Sequence, residues 1–268
     1  MKSIVYFLTF VVIFTQCSNE NQESISVDLP PQNKSELKYK ILHIYKHNPE
    51  YYCQGLEFFN GNLWEGTGNY GKSKIVEYNY QDGKIIRQKS NDSKYFGEGI
   101  TIFNNNLFQL TWQEHQVFVY DLKLNLVKTF PWAEQGWGLT HNDSFLIVST
   151  GSNIIYFVNP SDFKIVKQIS VQFNGNPVNN INELEFVQGM IYANIYLTDK
   201  IVKIDAQTGN VVAEADFSNI LSDAGIKKNP KEIDPGFVLN GIAYNKTTNT
   251  FFITGKSWEE MFEISWIN

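Results

Sequence analysis

The chain has 268 residues, 43% hydrophobic and 15% aromatic, which is enough apolar material for one sizeable core. Its net charge is -6 and its Lys and Arg residues form no cluster, which excludes a nucleic-acid-binding surface. The partner to expect is a small molecule or a peptide.

The first element is a targeting segment. Met1-Lys2 gives a positive start, and the apolar run from Ile4 to Phe14 is too short to span a bilayer, so it reads as a signal peptide. It closes in "FTQC" at Cys17 and is followed by the polar "SNENQES". A lone cysteine closing such a segment resembles a bacterial lipoprotein site, where the cysteine is the lipid attachment point. The expected organisation is a signal peptide over 1–17, a flexible tether over 18–36 and a folded domain over 37–268. This reading gives an exported monomer, periplasmic or anchored, that touches a membrane only through Cys17. Cys53 is the other of the two cysteines, so no internal disulfide is expected.

Beyond the tether, "YKILHIY" (Tyr39 to Tyr45) reads as a strand, and a repeat then begins. Five stretches share one grammar: "QGLEF" from Gln54, "EGITI" from Glu98, "WGLTH" from Trp137, "NELEF" from Asn182 and "NGIAY" from Asn240. Their starts are separated by 44, 39, 45 and 58 residues. Each opens a strand, meets a turn such as "NGN" or "NNN", and returns as a second strand; a third strand follows, such as "KIVEYN" or "KIVKIDA". The first four repeats add a fourth, such as "KIIRQK" or "VVAEAD". Four strands in about 40–45 residues is the signature of a propeller blade. The fold is therefore all-β, a five-bladed propeller. The last blade has three strands before the chain stops, so Tyr39–Tyr45 supplies the fourth and closes the ring.

In a propeller the first strand of each blade lines the central channel. The repeat then places Gln54, Glu98, Trp137, Asn182 and Asn240 in one ring facing the axis. A hairpin brings the start of its first strand beside the end of its second. Counting 14 residues forward, or 16 in the last blade, gives a second ring of Gly68, Trp112, Gly151, Tyr196 and Lys256. One carboxylate among amides, aromatic rings and a lysine at a channel mouth has the make-up of a small-ligand pocket. Trp64, Trp132, Trp258 and Trp266 are assigned to packing. The four histidines (His43, His47, His115, His141) lack zinc-ligand spacing, and no GxSxG elbow or phosphate-cradling loop occurs.

These residues also match a family. "YYCQGLEF", "EGTGNYGKS", "FGEGIT", "LTW", "GWGLT", "NELE", "VLNGIAY" and "FITGKSW" together resemble the plant and bacterial glutaminyl-peptide cyclotransferases, over roughly residues 37 to 265. The resemblance implies a five-bladed propeller that cyclises N-terminal glutamine to pyroglutamate with release of ammonia, without cofactor or metal. Carried over, the family's pocket falls on Tyr52, Gln54, Phe96, Glu98, Trp112, Trp137, Asn182, Tyr196 and Lys256. Seven of these nine lie in the two rings; Tyr52 and Phe96 come from the resemblance alone. The chain departs from the family's pattern at Tyr52 (Phe in the family), Cys53 (Thr) and Tyr196 (Trp). As the one carboxylate in the ring, Glu98 is expected to act as general acid and base, with Lys256 and Asn182 assisting catalysis; the other residues, with Asn240 from the inner ring, are expected to bind substrate. Two other readings stay open on the residues alone. One is a lactonase with calcium on Glu98, Asn182 and Asn240. The other is a non-catalytic binding propeller at the cell surface.

Overall fold

The computed structural model describes residues 34–227 and 236–267. The expected signal peptide, Cys17 and nearly all of the tether lie outside these residues.

Five antiparallel sheets make the five blades. Blade one is Cys53–Phe59, Asn62–Thr67, Lys74–Tyr78 and Ile85–Ser90. Blade two is Gly97–Phe103, Asn106–Thr111, Gln116–Asp121 and Leu126–Pro131. Blade three is Leu139–His141, Leu146–Ser149, Ile154–Val158 and Ile165–Ser170. Blade four is Ile181–Val187, Met190–Ile195, Lys200–Asp205 and Val211–Asp216. Blade five is Leu239–Asn245, Thr250–Gly255 and Glu260–Ile267, completed by Lys38–Lys46 from the other end of the chain. The inner strands neighbour one another in the order one, two, three, four, five and back to one, so the ring is closed.

Apolar side chains between adjacent blades supply the core. Ile100 and Leu107 of blade two pack on Trp64 and Ile75 of blade one, and Leu139 and Leu146 of blade three pack on Leu110 and Val117 of blade two. The tryptophans assigned to packing are in these layers: Trp64, Trp132 and Trp258 are buried, and Trp266 stacks on Tyr192. Cys53 is buried and free.

The repeated glycine has a steric reason. A Cβ on Gly55 would stand 2.4 Å from the Ile100 nitrogen, and one on Gly138 would stand 2.1 Å from the Asn182 oxygen. Neighbouring inner strands touch backbone to backbone there, which only glycine allows. Blade four has Glu183 at this position instead. Its buried carboxylate accepts the Leu56 and Ile242 N–H groups from blades one and five, at 3.1 and 2.8 Å.

The tether is shorter than expected. Ser35 and Glu36 pair in parallel with Ala213 and Glu214 on the outer edge of blade four, and Lys34 forms a 2.9 Å ion pair with Glu214. An exposed outer edge offers free backbone donors and acceptors, and this segment takes them.

Ring closure carries one further tie. The His47 ring is buried; its Nδ1 is 2.8 Å from the Trp258 carbonyl oxygen, and its Nε2 meets Glu65 at 3.1–3.2 Å. The Tyr78 hydroxyl donates to the same carboxylate at 3.1 Å. The closing strand, blade one and the turn after Lys256 are thus joined at one point.

Candidate active site

Four of the five first-ring residues share a backbone device. The strand register shifts between Cys53 and Gly55, Gly97 and Ile100, Ile181 and Leu184, and Leu239 and Ile242. Each shift is a β-bulge at Gln54, Glu98, Asn182 or Asn240, and bulges re-aim side chains. A second regularity locks the mouth. The N–H groups of Gly68, Trp112, Tyr196 and Lys256 donate to the carbonyls of Tyr52, Phe96, Asn180 and Val238, each two residues before a first-ring position.

The result is a cavity of about 210 Å³ lined by Tyr52, Gln54, Asn69, Phe96, Glu98, Trp112, Trp137, Asn182, Tyr196 and Lys256. All nine residues implied by the resemblance therefore line it. Asn240 does not. It is fully buried behind Gln54, where its Nδ2 donates to the Cys53 oxygen at 2.9 Å and to Gln54 Oε1 at 3.4 Å. Its bulge turns the amide toward blade one, so it supports the pocket without touching its contents. Gly68 and Gly151 act as platforms: a Cβ there would stand 2.5 Å from the Phe96 ring or 2.6 Å from the Trp137 indole.

The polar groups form a relay. Lys256 Nζ donates to Gln54 Oε1 at 2.7 Å, and Gln54 Nε2 donates to Glu98 Oε1 at 3.3 Å. The ammonium also lies 4.8 Å from the ring centres of both Tyr52 and Tyr196, an attractive cation–π position. Burial pushes the Glu98 carboxyl well above the usual carboxylate range, against the pull of Lys256 and with a further push from Glu114. Burial lowers Lys256 to about 8, partly offset by Glu98. The Asn182 side-chain oxygen is buried and has no hydrogen-bond partner among the described residues, as a group reserved for a ligand would be. The set proposed for calcium does not converge, since Asn240 faces away and a lysine ammonium shares the space.

Two residues escaped the sequence reading. Gln135 Oε1 accepts both indole N–H groups, from Trp112 at 2.9 Å and from Trp137 at 3.1 Å, and so fixes two walls with one atom. It stands two residues before Trp137, the position that Tyr52 and Phe96 hold in their blades, so the repeat itself could have shown it. Asn69 lines the mouth from a left-handed turn with φ of 79°. Its signal is weaker, although asparagine tolerates that conformation better than most residues.

The family model for glutamine cyclotransferase matches residues 8–266. A curated glutaminyl-peptide cyclotransferase of Arabidopsis thaliana is 34% identical over 238 residues, covering 85% of this chain and 73% of that protein. The crystal structure of Myxococcus xanthus glutaminyl cyclase superposes with a TM-score of 0.78 at 30% identity, covering 88% of this chain and 100% of the other. The chain belongs to the glutamine cyclotransferase family.

Proposed function

We propose that this pocket converts the N-terminal glutamine of peptides and proteins to pyroglutamate, with Glu98 carrying both proton transfers. The observation that supports this most directly is a single carboxylate, 5% exposed, on the pocket wall and held above its ordinary pKa. A general base works best when its pKa is near the working pH, and burial supplies that shift here.

The substrate's α-amine attacks its own γ-carboxamide carbon, forming the ring C–N bond. Glu98 takes a proton from the attacking nitrogen and returns it to the departing one, so ammonia leaves and the carboxylate is regenerated. Nucleophile and electrophile belong to one residue, so most of the barrier reduction comes from freezing the folded conformer. Such orientation effects reach roughly 7–11 kcal/mol in well-aligned intramolecular reactions. Phe96, Trp112, Trp137, Tyr52 and Tyr196 pack the glutamine stem and exclude water. Lys256, Gln54 and Asn182 stabilise the charge that develops on the carboxamide oxygen. The acyl acceptor is internal to the substrate, and this scheme draws on no metal or cofactor.

Ammonia release from a Gln-Ala peptide, with and without chelator, tests the scheme. Turnover is expected to be the same in both arms. Glu98→Gln should lower kcat by about 10²–10⁴-fold and remove the acidic limb of the kcat–pH profile. Its melting temperature should match or exceed that of the parent, because a carboxyl with a raised pKa costs stability once ionised. Lys256→Met should remove the alkaline limb near pH 8. Glu98→Gln activity within threefold of the parent would refute the proton-transfer role.

We also propose export and anchoring through Cys17, supported by the apolar Ile4–Phe14 run, the cysteine that ends it and the polar residues that follow. The propeller should act as a monomer.

A further inference from the structure

The cavity of about 210 Å³ can hold a glutamine residue but not a peptide, so the rest of a substrate must leave across its rim. On that rim the motif "EGTGNYGKS" places Asn69 in the lining and Tyr70 next to it. Tyr70 is 50% exposed, the one Tyr, Phe or Trp so exposed among the described residues. It is nevertheless held in place. Its ring stands edge-on to Phe96 with centres 5.4 Å apart, and its hydroxyl donates to Glu114 Oε1 at 2.8 Å. Glu114 Oε2 accepts the Phe96 N–H at 3.2 Å, so the phenol is tied to the backbone of the pocket wall itself.

An exposed ring fixed at both ends is preorganised and loses little freedom when a ligand packs on it. It also continues the aromatic lining outward, because Phe96 touches Tyr52 and Trp112 inside the cavity and Tyr70 outside it. We infer that Tyr70 is the binding surface for the side chain that follows glutamine, and that it selects an apolar or aromatic residue there. This rests on the cyclotransferase reading above. Glu114 at the ring's hydroxyl and Glu98 within the pocket make the rim unfavourable for an acidic second residue.

The test compares kcat/KM for Gln-Phe, Gln-Leu, Gln-Ala, Gln-Lys and Gln-Asp peptides in the parent, Tyr70→Ser and Tyr70→Phe. In the parent, Gln-Phe should exceed Gln-Ala by about five- to tenfold, the range expected of one added aromatic contact. Gln-Asp should be the poorest substrate. Tyr70→Ser should bring the Phe/Ala ratio close to one, mainly through the KM for Gln-Phe, while Tyr70→Phe keeps the ratio. An unchanged ratio in Tyr70→Ser, or an equal loss on every peptide, would overturn the inference and leave Tyr70 as a prop for Phe96. A parent that prefers Gln-Lys to Gln-Phe would overturn the apolar class. A parent inert on all five peptides would overturn the cyclotransferase reading itself, a distinct failure.

Discussion

Gln135 offers the cleanest dissection of how the pocket walls are held. Its Oε1 accepts the indole N–H groups of Trp112 and Trp137 at 2.9 and 3.1 Å, and the two rings face different neighbours, Phe96 and Tyr196. Gln135→Leu keeps the size of the side chain and removes both bonds. A neutral hydrogen bond contributes about 0.5–1.5 kcal/mol net, so losing two costs about 1–3 kcal/mol. Both indoles are only half-buried and can recover part of this from water, which places the expected loss near 2 kcal/mol. For a domain of this size that lowers the melting temperature by roughly 4–8 °C. The kinetic consequence should be larger than the thermal one, because loosened walls admit glutamine conformers that cannot cyclise. We expect kcat/KM to fall about tenfold, as is common when positioning is relaxed by a fraction of an ångström. Gln135→Glu retains an acceptor for both indoles and should keep kcat/KM within about threefold of the parent, which separates hydrogen bonding from packing. Thermal melts and steady-state cyclisation of Gln-Ala read both quantities. A Gln135→Leu variant with parental kcat, KM and melting temperature would show that packing alone holds the walls.

Ring closure should depend on pH through His47. Burial works to lower its pKa, but the Glu65 carboxylate and the Trp258 carbonyl outweigh burial and leave it raised. A raised histidine pKa contributes stability that is complete below the unfolded value, about 6.5, and is lost as pH rises through the folded value. His47→Gln should therefore be less stable than the parent at pH 6 and closer to it at pH 8.5; melting curves that stay parallel across this range would show that the tie carries no charge. For the anchor, metabolic labelling with radioactive palmitate should mark the parent and not Cys17→Ala. Equal labelling of both proteins would dismiss the anchor.

The propeller was legible because its period is written in residues that backbone contact demands. Gly55, Gly99 and Gly138 sit where neighbouring strands touch backbone to backbone, Gly241 takes a φ of 122° beside the Cys53 sulfur, and together they mark four of the five repeats; Glu183 breaks the pattern and places a carboxylate there instead. The pocket was legible for a related reason, since bulges at fixed phase carry four of the five first-ring residues. Equivalence in the repeat fixes where a Cα lies, however, and not which way its side chain turns. Asn240 shows the difference: it occupies a ring position and spends its amide on the Cys53 carbonyl. Gln135 lies outside both rings and acts only through Trp112 and Trp137, so ring membership does not mark it. The end of the tether was hidden for a simpler reason. Ser35 and Glu36 form a strand only because the edge at Ala213 and Glu214 is there to receive them.

The proposal that Glu98 serves as both base and acid requires a particular spacing of charges in the pocket. Two opposite unit charges about 4 Å apart attract by about 4 kcal/mol at an effective dielectric of 20. A direct Glu98–Lys256 contact would therefore hold the carboxyl toward its ionised form and oppose the effect of burial. Glu98 would then be a weak base, reluctant to take a proton from an amine. Gln54 stands between them instead, accepting from Lys256 and donating to Glu98. The carboxamide passes polarisation from one to the other while keeping the charges a side chain apart. Burial can then dominate both groups, raising Glu98 and lowering Lys256 to about 8. Asn240, buried behind Gln54 and bonded to its oxygen, holds the spacer in this orientation. The acid–base role proposed for Glu98 therefore draws on three blades together: blade two supplies the carboxyl, blade one the insulating amide, and blade five both the ammonium and the asparagine that steadies the amide.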